Sequence, residues 1–244
     1  MHRFFCPSTN IAHSRIVINN KEQVHHIKDV LRLKVKDTVA VFDDKGKEYR
    51  GAIEKLLPQS IILKIKDKHI LMTAKQLKIT VACAIPKKSK MDDIVDKLTQ
   101  LGVGRVIPML TQRVIIRWDK PKMALQQKRW EKIALCASQQ SQRSVLPIIE
   151  PIKDIKEVLS ESEVFDLKLM PALIGRRRAL KEIFAQFNPQ NILVLIGPEG
   201  DFTSEEVELA VKAGCIPVSL GELVLRVDMA AIAVASFIRL YANH

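Results

Sequence analysis

The sequence has little of what marks a metal site, a secreted protein or a membrane protein. Its four cysteines stand singly, with no CxxC pair and no paired Cys and His spacing of the kind zinc sites use. His25 and His26 are adjacent, but no third ligand is spaced near them, so we expect reduced thiols and no metal. No signal segment opens the chain, and the apolar run at 230–235 is far shorter than the roughly 20 residues of a membrane span. These absences predict a soluble, cytoplasmic protein that has no membrane partner.

The chain also lacks the two common nucleotide-binding loops. A phosphate-cradling loop needs the pattern GxxxxGK(S/T), a dinucleotide loop needs GxGxxG after a strand, and neither pattern occurs. Gly102-Val103-Gly104 is the one GxG sequence, and because it follows a predicted amphipathic helix we interpret it as a helix stop. There is no low-complexity segment and no repeat at a solenoid period. The sequence therefore disfavours P-loop proteins, dinucleotide-dependent enzymes and repeat proteins.

Basic residues outnumber acidic ones, and they are unevenly distributed along the chain. Within the net charge of +12, residues 1–72 carry 14 Lys and Arg against 8 Asp and Glu, which gives +6. Residues 83–143 carry 13 against 5, or +8, and residues 144–244 carry 10 against 14, or −4. This concentration favours a polyanion as the partner, because each neutralised phosphate releases counterions. The alternative is that the alkaline pI only keeps the protein soluble.

The pattern of secondary structure changes near residue 72. Residues 15–66 read as short strands around one helix, capped by Asn20 and ending near Leu33, which predicts a small barrel. From Leu77 onward strands alternate with helices, the pattern of a parallel α/β sheet. The predicted strands lie at 38–42, 48–56, 60–66, 77–85, 106–110, 167–170, 192–196 and 217–220, and the predicted helices at 91–101, 122–142, 204–214 and 228–241.

The stretch 191–206 is the most informative part of the sequence. Five successive apolar residues, 192–196, predict a strand that is covered on both faces of a parallel sheet. Thr203 and Glu206 have the spacing of a capping box, which predicts that a helix begins directly after Thr203. The Gly-Pro-Glu-Gly loop 197–200 lies at the carboxyl end of the strand, where α/β proteins bind ligands. It is either a binding loop, whose glycines let a flat ligand approach the backbone, or a structural turn.

A second strand, glycine loop and helix follow at 217–231, and with them the sequence resembles a known family. It is similar to the bacterial 16S rRNA uracil-N3 methyltransferases, knotted enzymes of the SPOUT class that use S-adenosylmethionine. The resemblance covers nearly the whole chain. It is carried by Met1-His-Arg-Phe-Phe5, His26 with Val30-Leu-Arg-Leu33, Lys87 with Lys90-Met-Asp92, Leu101-Gly-Val103, Arg129-Trp130, Gln140 to Arg143, Gly197-Pro-Glu-Gly200 and Leu225-Arg226.

The resemblance implies an α/β protein of two domains. Residues 1–72 would form a small PUA-like RNA-binding β-barrel, and residues 73–244 a SPOUT α/β methyltransferase domain with a C-terminal trefoil knot. Knots are very rare in proteins, and the strand pattern by itself would not indicate one. A homodimer is also implied, in which the partner chain completes each pocket. The apolar face of the last helix would be covered by the partner or by its own domain; it consists of Ala231, Val234, Ala235 and Ile238.

The resemblance further implies a pocket for S-adenosylmethionine, built from three loops that follow strands. Backbone groups and apolar side chains are sufficient to hold an adenine ring, which fits the residue types in these loops. The cofactor-binding residues implied are Met170, Pro171, Ile196, Gly197, Pro198, Glu199, Gly200, Leu220, Gly221 and Leu225.

Methylation of uracil N3 requires removal of the imide proton and stabilisation of the resulting anion. We assign the second task to Arg226, because a guanidinium can bond the uracil oxygens and lower the pKa of N3. The alternative is that Arg226 makes a salt bridge at the helix start, with Glu222 or Asp228. We also assign Asp228 as a candidate general base.

The chain departs from the family pattern at two places. The family usually has Thr-Glu-Thr after the arginine, where this chain has Val227-Asp228-Met229. In the long helix, the family pair Glu-Gln is Gln139-Gln140, and the glycine before Arg143 is Gln142. These changes question a role for a hydroxyl or for that glutamate in proton removal, but they leave the class of reaction intact.

Positively charged residues are the candidates for contact with 16S rRNA of the small ribosomal subunit. Arg32 is alternatively a domain-contact residue. Three functions stay open: methylation of uracil N3 in 16S rRNA, SPOUT methylation of another RNA or atom, and RNA binding without catalysis. The predicted RNA-binding residues are Arg3, Arg15, His26, Arg32, Lys87, Lys90 and Arg143.

Overall fold

The structure, a computed structural model, describes residues 1–70, 77–87, 90–116 and 118–241. The chain divides into two compact units. The first contains Met1–Thr73 and Ser138–Leu146, and the second contains Ala74–Ala137 and Pro147–His244. The predicted domain boundary between residues 72 and 73 falls outside the described residues and stays a prediction.

Among its described residues, the first unit has a sheet of six strands and a short α-helix, α1 (Lys21–His25). The strands are β1 (Arg3–Phe5), β2 (Ile11–Ala12), β3 (Arg15–Ile18), β4 (Thr38–Phe42), β5 (Lys47–Leu56) and β6 (Ile61–Ile70). Their order is β1-β4-β5-β6-β3-β2, antiparallel throughout except for the parallel pair of β1 and β4. In β3 exposed and buried residues alternate, as expected for a strand with one face on a core.

Helix α1 begins where the sequence predicts and ends earlier. The Asn20 side chain accepts a hydrogen bond from the Gln23 N–H at 3.1 Å, which confirms Asn20 as the N-cap. The helix continues as a single π-helical turn at His26–Val30. Arg32 then has a φ of +52°, a left-handed conformation that a right-handed helix cannot contain. The predicted end near Leu33 is therefore wrong, because the chain leaves the helix before Arg32.

The second unit is a parallel sheet of eight strands with six helices among its described residues. Its strands are β7 (Lys78–Ala84), β8 (Arg105–Leu110), β9 (Ile148–Ile149), β10 (Lys153–Asp154), β11 (Leu167–Pro171), β12 (Arg178–Ala179), β13 (Asn191–Ile196) and β14 (Ile216–Ser219). Its helices are α2 (Lys90–Gln100), α3 (Lys120–Gln140), α4 (Ile155–Ser160), α5 (Leu180–Phe184), α6 (Ser204–Lys212) and α7 (Val227–Tyr241). The strand order is β10-β8-β7-β13-β11-β14-β12, with β9 beside β8.

Helices cover both faces of this sheet, which confirms the predicted α/β class. Apolar residues of α2, α3, α5 and α7 share one core with the sheet, and those of α4 and α6 share the other. Two covered faces are the arrangement that parallel sheets require. The trefoil knot implied by the resemblance stays a prediction.

Strand β13 lies inside the sheet, with β7 on one side and β11 on the other. Ile192, Val194 and Ile196 point into one core, and Leu193 and Leu195 into the other. Because both sets of side chains are buried, every position of the run 192–196 is apolar. The prediction of a strand covered on both faces is therefore confirmed.

The apolar face of α7 packs within its own unit. Ala231, Val234, Ala235 and Ile238 all belong to the core shared with α2 and β13, and each is at most 1% exposed. Of the two ways of covering this face, the structure shows burial by the same domain. The face therefore needs no second chain.

Helix α3 ends two residues before the predicted end, at Gln140, and the chain then turns through Gln142 at a φ of +58°. The Arg143 N–H donates to the Ser138 carbonyl at 2.9 Å and closes the helix end. A left-handed residue with a side chain is strained by roughly 1–2 kcal/mol, and glycine is not. This geometry explains why a glycine suits the position.

We expect Gln142→Gly to raise the free energy of unfolding by about 1 kcal/mol, because relief of the left-handed strain outweighs the extra freedom of glycine in the unfolded chain. Urea denaturation measures the change. Gln126→Gly, inside α3, is the matched control and should lower stability by a similar amount. A destabilised Gln142→Gly protein would contradict this account of the helix end.

Candidate active site

A pocket lies at the carboxyl ends of β11, β13 and β14. Because these strands are parallel neighbours, the loops that follow them lie at the same edge of the sheet. The residues that line the pocket are Pro171, Ala172, Leu173, Arg177, Ile196, Gly197, Pro198, Glu199, Asp201, Val218, Leu220, Gly221, Leu223, Val224, Leu225, Val227 and Ala230. The three loops predicted to surround one pocket are thus brought together by the sheet.

Eight of the ten predicted cofactor-binding residues line this pocket, and two do not. The lining residues among them are Pro171, Ile196, Gly197, Pro198, Glu199, Leu220, Gly221 and Leu225. Met170 is fully buried in the core that contains α4 and α6, one residue before the lining begins. Gly200 lies against Arg113 instead. The cofactor roles of the lining residues stay predictions.

Several lining residues are not among the predicted cofactor-binding residues, for example Asp201, Leu223 and Val224. Leu223 and Val224 are 81% and 70% exposed, which is unusual for such apolar side chains. Their position between Gly221 and Arg226, in a loop after a strand, was the signal that could have found them. Asp201 adjoins the glycine loop, and its position next to Gly200 was a similar signal.

The two glycines of the loop after β13 lie close to side chains of the protein itself, Gly197 more closely than Gly200. A Cβ atom at Gly197 would lie 2.9 Å from two carbons of the Phe202 ring, which is 1% exposed. A Cβ atom at Gly200 would lie 3.3 Å from Cδ of Arg113. Neither glycine has a positive φ, so it is space rather than backbone conformation that excludes a side chain at Gly197. At Gly200, which is exposed, a side chain would have to displace Arg113 slightly.

Arg226 occupies the position before α7, and its carbonyl accepts the Ala230 N–H at 2.8 Å. Its side chain is exposed, and within the described residues it makes neither a hydrogen bond nor an ion pair. The alternative of a salt bridge to Glu222 or Asp228 is therefore not formed there. Arg226 follows Leu225 of the pocket without lining the pocket itself. Because Arg226 lies next to the pocket and has no hydrogen-bond or ion-pair partner among the described residues, its side chain is available to bind a ligand.

Asp228 lies in the first turn of α7 and is partly buried. Its Oδ1 atom is buried and has no hydrogen-bond partner within the described part of the chain. An unpaired buried carboxylate oxygen is costly and calls for an explanation. Asp228 does not line the pocket, and its assignment as a candidate base stays a prediction.

Two acidic side chains act on one buried thiol at the end of β7. Burial raises the pKa of Cys83 well above its usual value, and the negative charges of Glu199 and Asp228 raise it further. Glu199 also accepts the Lys87 N–H at 3.4 Å. Cys83 stays a neutral thiol and is not a nucleophile.

The predicted RNA-binding residues differ in exposure and in whether their side chains are already hydrogen-bonded within the protein. Arg3 bonds Glu48 at 3.0 Å and Ser144, and its side chain is only 10% exposed. Arg15 makes a two-pronged bond to Glu54, with both N to O distances 2.8 Å. Phosphate contact by either arginine would have to compete with these bonds.

The other predicted RNA-binding residues are distributed over both units. In the first unit His26 and Arg32 are exposed, and the Arg143 Nε donates to the Val145 carbonyl at 2.5 Å. In the second unit Lys87 is exposed, and Lys90, the first residue of α2, is half-buried. Their roles stay predictions.

Asp92 and Arg129-Trp130, which both carry the family resemblance, meet in the structure. The Asp92 carboxylate accepts hydrogen bonds from Arg129 at 2.5 Å and from the Trp130 indole N–H at 3.1 Å. Trp130 is 1% exposed. The contact joins α2 to α3, which gives these residues a structural role within the second unit.

Within the described ranges, no cluster of three or more His, Cys, Asp or Glu residues could hold a metal ion. No helix in those same ranges is both long and apolar enough to cross a membrane.

Comparison with known proteins identifies the family. Residues 73–239 match the RNA methyltransferase domain family and residues 18–66 the RNA methyltransferase PUA domain family. The ribosomal RNA small subunit methyltransferase E of Mesomycoplasma hyopneumoniae is 32% identical over 95% of this chain and 96% of its own length. The protein of the same name from Rickettsia conorii is 29% identical over 100% and 97%.

Solved structures agree with the sequence comparison. The ribosomal RNA small subunit methyltransferase E of Neisseria gonorrhoeae, bound to S-adenosyl methionine, has a TM-score of 0.86 and 28% identity over 98% of this chain and 97% of that one. A Legionella pneumophila methyltransferase in complex with SAM has a TM-score of 0.87 and 27% identity over 98% and 96%. The resemblance predicted from the sequence is confirmed: the chain belongs to the ribosomal RNA small subunit methyltransferase E family, with a PUA domain followed by an RNA methyltransferase domain.

Proposed function

We propose that the protein transfers a methyl group from S-adenosylmethionine to N3 of a uridine in 16S rRNA of the small ribosomal subunit. The observation that carries this proposal is the pocket at the carboxyl ends of β11, β13 and β14, in a chain that resembles two SAM-bound methyltransferases along nearly its whole length. The choice of uracil N3 comes from the resemblance of the sequence to its family.

The residues of the pocket fit S-adenosylmethionine. Apolar side chains such as Leu220 and Leu225 suit a flat adenine ring, and the loop backbone offers hydrogen-bonding groups. Glu199 and Asp201 bring negative charge and Arg177 brings positive charge, which complement a ligand that carries an ammonium, a sulfonium and a carboxylate. When bound, this cofactor supplies a methyl group activated by a positively charged sulfur. The protein's own part is to align that methyl with the base and to exclude water.

The chemistry at the base falls to Arg226 and Asp228. Neutral uracil N3 carries a proton and has no lone pair free for attack, so the proton must leave before or during methyl transfer. The carboxylate of Asp228, with its unpaired Oδ1, is our candidate to accept it. The guanidinium of Arg226 would bond the uracil oxygens, where the negative charge of the deprotonated ring is concentrated. Both groups lie at the start of α7, directly after the pocket loop.

Recognition of rRNA is assigned to the PUA domain and to basic residues of the second unit. His26, Arg32 and Lys87 have exposed side chains and are the first candidates for phosphate contact. An rRNA substrate and unpaired cysteines both support a cytoplasmic location.

We also propose that the protein acts as a homodimer. Support comes from the family resemblance and from apolar side chains exposed at the pocket and on α7: Leu223, Val224, Met229 and Leu240 are 81%, 70%, 51% and 66% exposed. The expected result is a dimeric mass by light scattering at micromolar concentration. Leu223→Glu combined with Val224→Glu should shift the mass toward the monomer. A monomeric wild-type protein would overturn the proposal.

The function is tested by mapping methylated bases in 16S rRNA from cells with and without the gene. One N3-methylated uridine should disappear in the deletion strain and return with the wild-type gene. Purified protein with S-adenosylmethionine should restore the same methyl group on rRNA or on small subunits from the deletion strain. Loss of a methyl group at another base or atom would instead assign a different target to the same pocket.

A further inference from the structure

Arg113 is an exposed residue that contacts the loop that follows β13. Its Nη1 atom donates to the carbonyl oxygen of Gly200 and lies 3.4 Å from the carbonyl oxygens of both Asp201 and Phe202. Three consecutive backbone carbonyls therefore converge on one positively charged nitrogen. Arg113 itself belongs to the segment after β8, 87 residues from Gly200 in sequence.

The same segment makes a second contact with the start of α6. The Gln112 N–H donates to Oε1 of Glu206 at 2.8 Å, and Oε2 of Glu206 accepts the Thr203 N–H at 2.9 Å. Glu206 is only 2% exposed. Its carboxylate thus both caps α6 and fixes that helix to the segment after β8. The capping box predicted from the sequence is present and has this additional partner.

The loop after β13 is also hydrogen-bonded to a residue of another pocket loop. Oδ2 of Asp201 accepts the Leu173 N–H at 2.8 Å, and both residues line the pocket. Asp201 has a φ of +62°, a conformation that costs a residue with a side chain free energy and needs contacts to hold it. The carbonyl groups of Asp201 and of its two neighbours are those that face Arg113.

We propose that Arg113 is a positioning residue for the cofactor loop. It does not line the pocket; it holds Gly200, Asp201 and Phe202 so that Gly197 to Glu199 and Leu173 have the geometry that binds the ligand. The proposal rests on the proposed function, since it takes S-adenosylmethionine as the ligand of this pocket. It adds a residue that lies outside the three pocket loops.

The expected effect of Arg113→Met follows from a shift in population. In ligand-free Arg113→Met, we expect the loop after β13 to hold its binding geometry in only about a tenth of the molecules. The dissociation constant for S-adenosylmethionine then rises about tenfold. The methyl transfer rate at saturating cofactor should stay near that of the wild type, because the ligand selects the competent loop. Arg113→Lys should recover most of the affinity, since an ammonium can donate to three convergent carbonyls.

Arg239 provides a matched control. Its Nε and Nη2 atoms donate to the carbonyls of Leu101 and Gly102 at 3.1 and 2.7 Å, and it packs against Gly102 as Arg113 packs against Gly200. Both arginines lie in the second unit and bond backbone carbonyls near a glycine. Arg239→Met should lower the unfolding temperature and leave the dissociation constant for S-adenosylmethionine unchanged.

The experiment is calorimetric titration of each variant with S-adenosylmethionine, beside amide hydrogen exchange of the ligand-free proteins. Faster exchange at 197–203 in Arg113→Met but not in Arg239→Met, with weaker binding in the first alone, supports the proposal. Unchanged exchange and affinity in a folded Arg113→Met protein overturns it. If Arg113→Met does not fold, Arg113→Gln takes its place under the same two criteria. A wild-type protein that does not bind S-adenosylmethionine refutes the proposed function, and the exchange data still test the contact.

Discussion

Replacing Arg226 with alanine is expected to lower the single-turnover rate of methyl transfer by about 10² to 10³, the loss seen when one preorganised donor to a developing anion is removed. Its side chain is exposed and has no hydrogen-bond or ion-pair partner within the described residues, so its removal should cost little stability. The measurement is single-turnover methyl transfer to rRNA at saturating S-adenosylmethionine and RNA. Arg226→Lys should recover only part of the rate, because an ammonium keeps the charge but not the planar pair of donors.

RNA binding separates this role from a phosphate contact. Arg226→Ala should leave the equilibrium affinity for rRNA nearly intact. Arg32→Gln should instead weaken binding to any RNA sequence and flatten the log–log salt dependence by about one unit. For Arg32→Gln, the single-turnover rate of methyl transfer at saturating RNA should be unchanged. A full loss of RNA affinity in Arg226→Ala, with a normal rate at saturation, would show that Arg226 binds RNA and does not act in catalysis.

Gly200→Val is expected to abolish measurable binding of S-adenosylmethionine while the protein stays folded. Even a single added carbon would lie 3.3 Å from Cδ of Arg113, so a branched side chain must displace either the arginine or the loop. The effect should exceed that of Arg113→Met, which removes the restraint without filling the space. Calorimetric titration measures the affinity, and circular dichroism with thermal unfolding shows whether the fold persists.

A double variant identifies the cause of this effect. If valine acts by its clash with Arg113, then Gly200→Val combined with Arg113→Met should bind S-adenosylmethionine better than Gly200→Val alone. Gly104→Val is a suitable control, because that glycine lies before β8 and outside the pocket, has no positive φ, and an added Cβ atom would meet the Ile79 carbonyl oxygen at an ordinary 3.7 Å. Unchanged affinity in Gly200→Val would remove this loop from the binding site.

Much of the fold could be read from short stretches of sequence. The strand 192–196, the Thr203 and Glu206 capping box and the alternation of strands with helices are local patterns, and the structure contains all three. Local patterns are reliable where burial and backbone hydrogen bonding act over a few neighbouring residues. Eight of the ten cofactor-binding residues predicted from the resemblance line the pocket, and they lie at or after the carboxyl ends of strands that could be located from the sequence.

The remaining features depend on contacts between residues far apart in the chain. Gly200 lies against Arg113, 87 residues away in sequence, and the apolar face of α7 is buried against α2 and β13 of its own unit. The sequence by itself determined the α/β class and the longer strands and helices, because periodicity and capping are local, whereas the short elements β1, β2, β9, β10, β12, α4 and α5 were not predicted. The loops at the pocket were implied by the family resemblance. Only the tertiary structure decided what packs behind those loops, because that depends on how the parallel strands bring distant segments to one edge of the sheet.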